Sequence, residues 1–60
     1  PDAPIEDPIE QFLSPSQLRE LAEGKRSEMM AAAKELDFLE AARLRNELQR
    51  LEEKIRLLES

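Results

Sequence analysis

The sequence predicts an all-α protein, an antiparallel helix-loop-helix hairpin, and three observations carry that prediction. Two helix-start signals stand at Ser14 and Asp37, each followed by an amphipathic run. The second run has an apolar seam at heptad spacing. Between the runs the chain pauses only near Leu36 and Asp37. So short a connection folds two helices back against each other.

Residues 1–13, PDAPIEDPIEQFL, hold three of the four prolines. Proline at positions 1, 4 and 8 opposes a regular helix. An acidic linker is expected here, disordered to about residue 8 by composition. Ile5, Ile9, Phe12 and Leu13 are its candidates for local docking. The chain starts with Pro1 rather than methionine, which reads as a fragment of something larger.

The helical hairpin is expected over residues 14–60. Ser14 suits the N-cap, Pro15 the first helical position, and Gln17 completes a capping box. Leu13 and Leu18 stand where a hydrophobic staple places them. Helix one, about 15–35, follows the rhythm Leu18, Ala22, Met29, Ala32, Leu36, with Lys25 as a polar interruption. Gly24 costs about 1 kcal/mol relative to alanine in mid-helix. It either permits a close backbone approach or is a tolerated defect.

Asp37 and Glu40 repeat the capping pattern, and both carboxylates favour the positive end of helix two. Helix two, about 38–58, carries Ala41, Leu44, Leu48, Leu51, Ile55 and Leu58 in steps of 3, 4, 3, 4 and 3. This is an a/d seam. Glu52 and Arg56 have the spacing and orientation of an i,i+4 ion pair. Two helices alone enclose such a seam poorly. A second hairpin is expected to cover its open side, giving a dimer with a four-helix arrangement.

Composition narrows the function. Sixty residues make one small domain, with no cysteine and no histidine. Zinc sites, thiol catalysis and imidazole acid–base chemistry therefore lack their residues. One glycine supplies no phosphate-cradling loop. Neither an active site nor a cofactor is expected. The net charge of −5, from 14 acidic and nine basic residues, repels phosphate backbones, so direct nucleic-acid binding is not expected. No apolar run approaches the roughly 20 residues of a membrane span, and no stretch reads as a signal peptide. The expected location is the cytoplasm.

Phe38 is the discriminating residue. It aligns with Ala42 and Arg45 by steps of four and three, on a stripe beside the leucine seam. Ala42 lets another helix come close, and Arg45 offers a bidentate fork to a carboxylate. On helix one, residues 29–33, MMAAA, form an apolar band wider than one seam needs. Methionine suits an adaptable contact surface. The residues themselves allow two roles for Phe38: an anchor for a partner, or a plug at the end of the hairpin with Met30 beside it.

Residues 29–55, and above all LDFLEAARLRNEL at 36–48, resemble the UVR motif. That motif is shared by the UvrB and UvrC components of the bacterial excision nuclease and by some stress-response proteins. Two positions depart from its usual pattern. Leu39 stands where glutamate is common, and Asn46 where aspartate is common. Residues 6–18, EDPIEQFLSPSQL, look like the stretch before the motif in UvrB proteins. The missing cysteines and the terminal position also favour the closing domain of a UvrB protein.

The resemblance implies a protein–protein interaction domain of nucleotide excision repair. Its implied partner is the homologous UVR hairpin of UvrC, the incising component, which it brings to damaged DNA, and alone it self-associates. It favours the partner role for Phe38, with Met30, Ala33, Ala41, Ala42 and Arg45 as the implied contact residues. Rival readings are the UVR hairpin of UvrC or of a stress-response protein, a plain homo-oligomerisation hairpin, and a nucleic-acid-binding hairpin. The acidic balance opposes the last.

Overall fold

The structure, a computed structural model, describes residues 8–60. Its elements are a short 3-10 turn, Pro8–Phe12, then α1, Pro15–Lys34, and α2, Phe38–Glu59. The two α-helices pack against each other as a hairpin. The expected disorder of the first residues and the docking of Ile5 fall outside the described part of the chain.

α1 begins as its sequence dictates. Ser14 is extended, its Oγ accepts from the Gln17 N–H at 3.2 Å, and the Gln17 Oε1 accepts from the Ser14 N–H at 2.8 Å. Two of the unpaired amides at the helix start are thereby satisfied. Leu13 packs against the cluster that contains Leu18, as a staple requires. A Cβ built on Gly24 would meet nothing within 4 Å. No close approach occurs there, so Gly24 is a tolerated defect.

The turn is sharper than the sequence suggests. α1 ends at Lys34, and Glu35 is its C-cap. Leu36 takes the left-handed conformation at φ 61. Its N–H donates to Ala33 O at 3.0 Å, and the Asp37 N–H donates to Ala32 O at 2.9 Å. This pair of bonds is a Schellman motif, usually built with glycine at the left-handed position. A leucine there carries roughly 1–2 kcal/mol of backbone strain. By its spacing Leu36 should continue the apolar face of helix one. The cap instead takes it out of the helix and leaves it exposed.

The same cap explains how α2 starts. Asp37 Oδ1 accepts from the Glu40 N–H at 3.2 Å, which caps the helix. The Asp37 N–H is already committed to Ala32 O. Glu40 turns its carboxylate to Arg43 instead, at 2.9 and 2.5 Å.

The core is formed by Leu18 and Ala22 of α1 with Leu44, Leu48, Leu51 and Ile55 of α2. Leu13, Leu21 and Met29 pack against its main cluster. The expectation that one hairpin leaves this seam open is therefore corrected: these leucines are enclosed within the single chain. Leu58 is the exception. It lies in the last turn of α2, opposite the very start of α1, and is half exposed.

The segment before α1 contributes to this enclosure in an unexpected way. Ile9 and Phe12, two expected docking residues, are exposed, while Glu10 is only 4% exposed. Its carboxylate takes both arms of the Arg50 guanidinium, with Nη1–Oε1 at 2.5 Å and Nη2–Oε2 at 3.0 Å. Such bidentate charge-assisted bonds offset the desolvation of the two ions.

Between the helices, Lys25 pairs with Glu47 at 2.9 Å, Arg26 with Glu52 at 2.7 Å, and Arg19 with Glu59. These solvent-accessible pairs fix the antiparallel register more than they stabilise it. The expected Glu52–Arg56 pair does not form. Glu52 is taken across the hairpin by Arg26, and Arg56 bonds Glu53 one turn back.

Candidate protein-interaction groove

The site lies at the closed end of the hairpin. Asp37 as N-cap makes Phe38 the first residue of α2. Helical steps then put Phe38, Ala42 and Arg45 on one stripe, with Ala41 beside them. The last turns of α1 face them with Met29, Met30 and Ala33. Together these seven side chains line an open groove of about 400 Å³. The lining comprises three alanines, two methionines, the phenylalanine and Arg45.

All six residues singled out by sequence, Met30, Ala33, Phe38, Ala41, Ala42 and Arg45, are brought together here. The seventh, Met29, falls on the seam by its spacing. It serves both surfaces, packing against the core on one side and lining the groove on the other. Its place at the boundary of a widened apolar band is the available signal.

Exposure separates the two roles open to Phe38. A plug is buried by what it closes. Phe38 leaves 65% of its surface to solvent, and Met30 leaves 57%. Contiguous exposed apolar surface of this kind makes the groove a candidate interaction site. The chain's other aromatic, Phe12, is also exposed but lies at the opposite end, before α1.

The electrostatics single out Arg45. Arg19, Arg26, Arg43, Arg50 and Arg56 all pair with carboxylates. Arg43 bridges two of them, Glu40 and Glu47, on the helix face away from the groove stripe. Its hydrogen bonds to Glu40, with the charges of both acids, raise the Arg43 pKa further above its ordinary value and hold Glu40 below the usual carboxylate range. Among the described arginines, Arg45 alone pairs with no carboxylate. Its Nη2 donates to the neutral Asn46 Oδ1 at 3.2 Å. In a chain with five more acids than bases, an arginine without a carboxylate at the rim of an apolar groove is a donor kept available.

What this arrangement can do is bind. Among the described residues no cluster of His, Cys, Asp or Glu is placed to hold a metal ion, and no helix is long and apolar enough to cross a membrane. The groove offers an aromatic anchor, adaptable methionines, close backbone approach at the alanines and one directional charged donor. These are the parts of a helix-docking surface.

Comparison with known proteins gives a consistent picture. Residues 17–54 match the UvrB/uvrC motif family, UVR. The UvrABC system protein B of Bacteroides thetaiotaomicron is 49% identical over 47 residues, which are 78% of this chain and 7% of that protein. The UvrABC system protein B of Bacteroides fragilis is 45% identical over 47 residues, with the same shares. The chain thus spans a small part of the curated relatives it matches. No solved structure matches it.

Proposed function

This chain belongs to the UvrB/uvrC motif family, and we propose that it is a protein–protein interaction domain of the bacterial nucleotide excision repair complex, in the cytoplasm. Its groove takes the homologous UVR hairpin of UvrC, the incising component of the excinuclease, and so recruits that component to damaged DNA. The observation that carries this reading is the exposed Phe38 in an apolar groove beside Arg45, the arginine without a carboxylate. The similarity to UvrABC system protein B over most of the chain supports a UvrB parent over UvrC or a stress-response protein. A second copy of the chain has the same features, so self-association through the groove is part of the same reading.

The partner hairpin would lay an apolar stripe over Phe38 and Met30 and place a carboxylate at Arg45. Burying an aromatic anchor and completing a bidentate ion pair are the two contributions that dominate such interfaces. The domain itself would contribute no chemistry to incision.

The test has two parts. Mixing the chain with hairpins that carry or lack the UVR motif should give complexes with the former only. In the parent protein, removing residues 14–60 should leave loading on damaged duplex intact in a gel shift and impair cleavage when UvrC is added. Lost loading would move the role to DNA engagement. Unchanged cleavage would put the hairpin's partner outside the incision reaction.

A further inference from the structure

The residues around Arg45 show how it keeps its charge in an acidic chain. Arg19, Arg26, Arg43, Arg50 and Arg56 each have a glutamate three or four residues away on the same helix. Side chains at that spacing meet on a helix surface. Arg45 has Ala41, Ala42, Leu48 and Gln49 at those four positions. Three are apolar, and Gln49 carries an amide where a glutamate would pair. Glu47, the nearest acid in sequence, is held by Lys25 at 2.9 Å and by Arg43 at 2.5 Å.

The group that does meet the Arg45 guanidinium is another amide. Asn46 Oδ1 accepts from Arg45 Nη2 at 3.2 Å. Asn46 is exposed and does not line the groove. Asparagine and aspartate have the same shape, so an aspartate here would set a negative charge on the guanidinium and cancel it in the free chain. The amide takes one of the five N–H donors of the guanidinium and leaves its charge intact.

Resting on the proposed docking of the UVR hairpin of UvrC in the groove, we propose that Asn46 is a specificity-determining residue that acts through Arg45. Its neutral amide holds the guanidinium without neutralising it, so the groove selects an apolar helix that brings a carboxylate to its rim. An incoming carboxylate finds the other described arginines already taken. In a chain of net charge −5 it is attracted at Arg45 and opposed by the excess of acids, which is discrimination by attraction and repulsion together.

The experiment is calorimetric titration of the intact chain with the UVR hairpin of UvrC, at low salt and at about 1 M salt, where charges are screened within a few ångströms. The variants are F38A, R45Q, N46A, N46D and the R45Q, N46D double variant, with circular dichroism on each. These side chains are exposed, so helix content should be kept. At low salt R45Q should weaken binding about tenfold and N46D about threefold, while the neutral N46A stays within about twofold of the wild type. At high salt N46D should converge on the wild type. In the R45Q background N46D should add nothing. If F38A weakens binding while R45Q or N46D matches the wild type at low salt, Asn46 has no such role and the groove stands. If N46A weakens binding as much as N46D, or N46D costs the same with and without R45Q, the charge on Arg45 is not the route and the proposal is overturned. A wild-type chain that does not bind the hairpin, or an F38A chain that binds normally, overturns the groove reading and this proposal with it.

Discussion

Both ends of this hairpin expose apolar side chains, Ile9, Phe12, Leu57 and Leu58 at the open end and Met30, Leu36, Phe38 and Leu39 at the closed end, and they differ in what lies beside them. At the open end, Leu18, Leu51 and Ile55 are sealed between the helices, with Leu13 against them and Glu10 buried on Arg50. At the closed end, Met30, Leu36, Phe38 and Leu39 are exposed, and Met30 and Phe38 line a groove. The ion pairs divide along the same line. Every arginine outside the groove is neutralised within the chain, and Arg45 at the groove is not. In so small a domain, burying every leucine would serve stability best. On the proposed reading, the closed end gives up that stability in exchange for a surface that recognises another chain.

The largest effect expected is at the sealed end. Leu51→Ala should cost about 2–5 kcal/mol, as a large-to-small change in a fully buried position does. That is comparable to the whole stability such a core supplies, roughly 3–5 kcal/mol. A thermal melt by circular dichroism should show little cooperative transition left. Phe38→Ala should cost about 2 kcal/mol or more of association while moving the monomer melt by little. If Phe38→Ala melted like Leu51→Ala, the division between the two ends would collapse.

Much of this division is legible in the chain itself. Capping at Ser14 and the seam at Leu44, Leu48, Leu51 and Ile55 depend on residues three and four apart, which a sequence displays directly. The stripe of Phe38, Ala42 and Arg45 is legible for the same reason. Which side of the hairpin it faces, and whether Phe38 is covered, is not. Those depend on where the turn stops α1. A leucine in the left-handed position at Leu36 gives no warning, since glycine is the usual signal there. The Glu10–Arg50 pair joins residues 40 apart and leaves no periodic trace. Without it, the prolines make the first residues read as a linker, and the seam reads as half open.

At the sealed end, the Glu10–Arg50 pair is the contact that holds the first segment against α2. Glu10→Gln should keep the shape of the contact and weaken its charge. It should destabilise the hairpin by roughly 1.5–3 kcal/mol, the range for hydrogen bonds to charged groups, and leave association through the groove unchanged. Denaturant melts of the single variants and of the Glu10→Gln, Arg50→Gln double variant should show non-additive losses. Additive losses would mean that the pair does not hold the segment down.

The smallest effect concerns pH. Glu47 has its pKa held below the ordinary 4.5, first by its hydrogen bond from Lys25 and then by the Lys25 and Arg43 charges. A carboxyl with a lowered folded-state pKa stabilises the fold fully above the unfolded value and loses that contribution as pH falls through the folded value. Stability should therefore be flat above about pH 5 and fall on acidification below it. Glu47→Gln should flatten part of that acid limb. An acid limb identical in the variant would show that the Lys25–Glu47–Arg43 contacts contribute nothing in solution.

The claim that one end folds the chain and the other recognises a partner is tested most directly by residue-resolved binding. The isotope-labelled chain would be titrated with the homologous UVR hairpin of UvrC and followed by amide NMR. The largest shifts are expected at Met29, Met30, Ala33, Phe38, Ala41, Ala42 and Arg45, with Leu18, Leu51 and Ile55 unmoved. Shifts concentrated along the leucine seam, or at the 3-10 turn and the end of α2, would contradict the account.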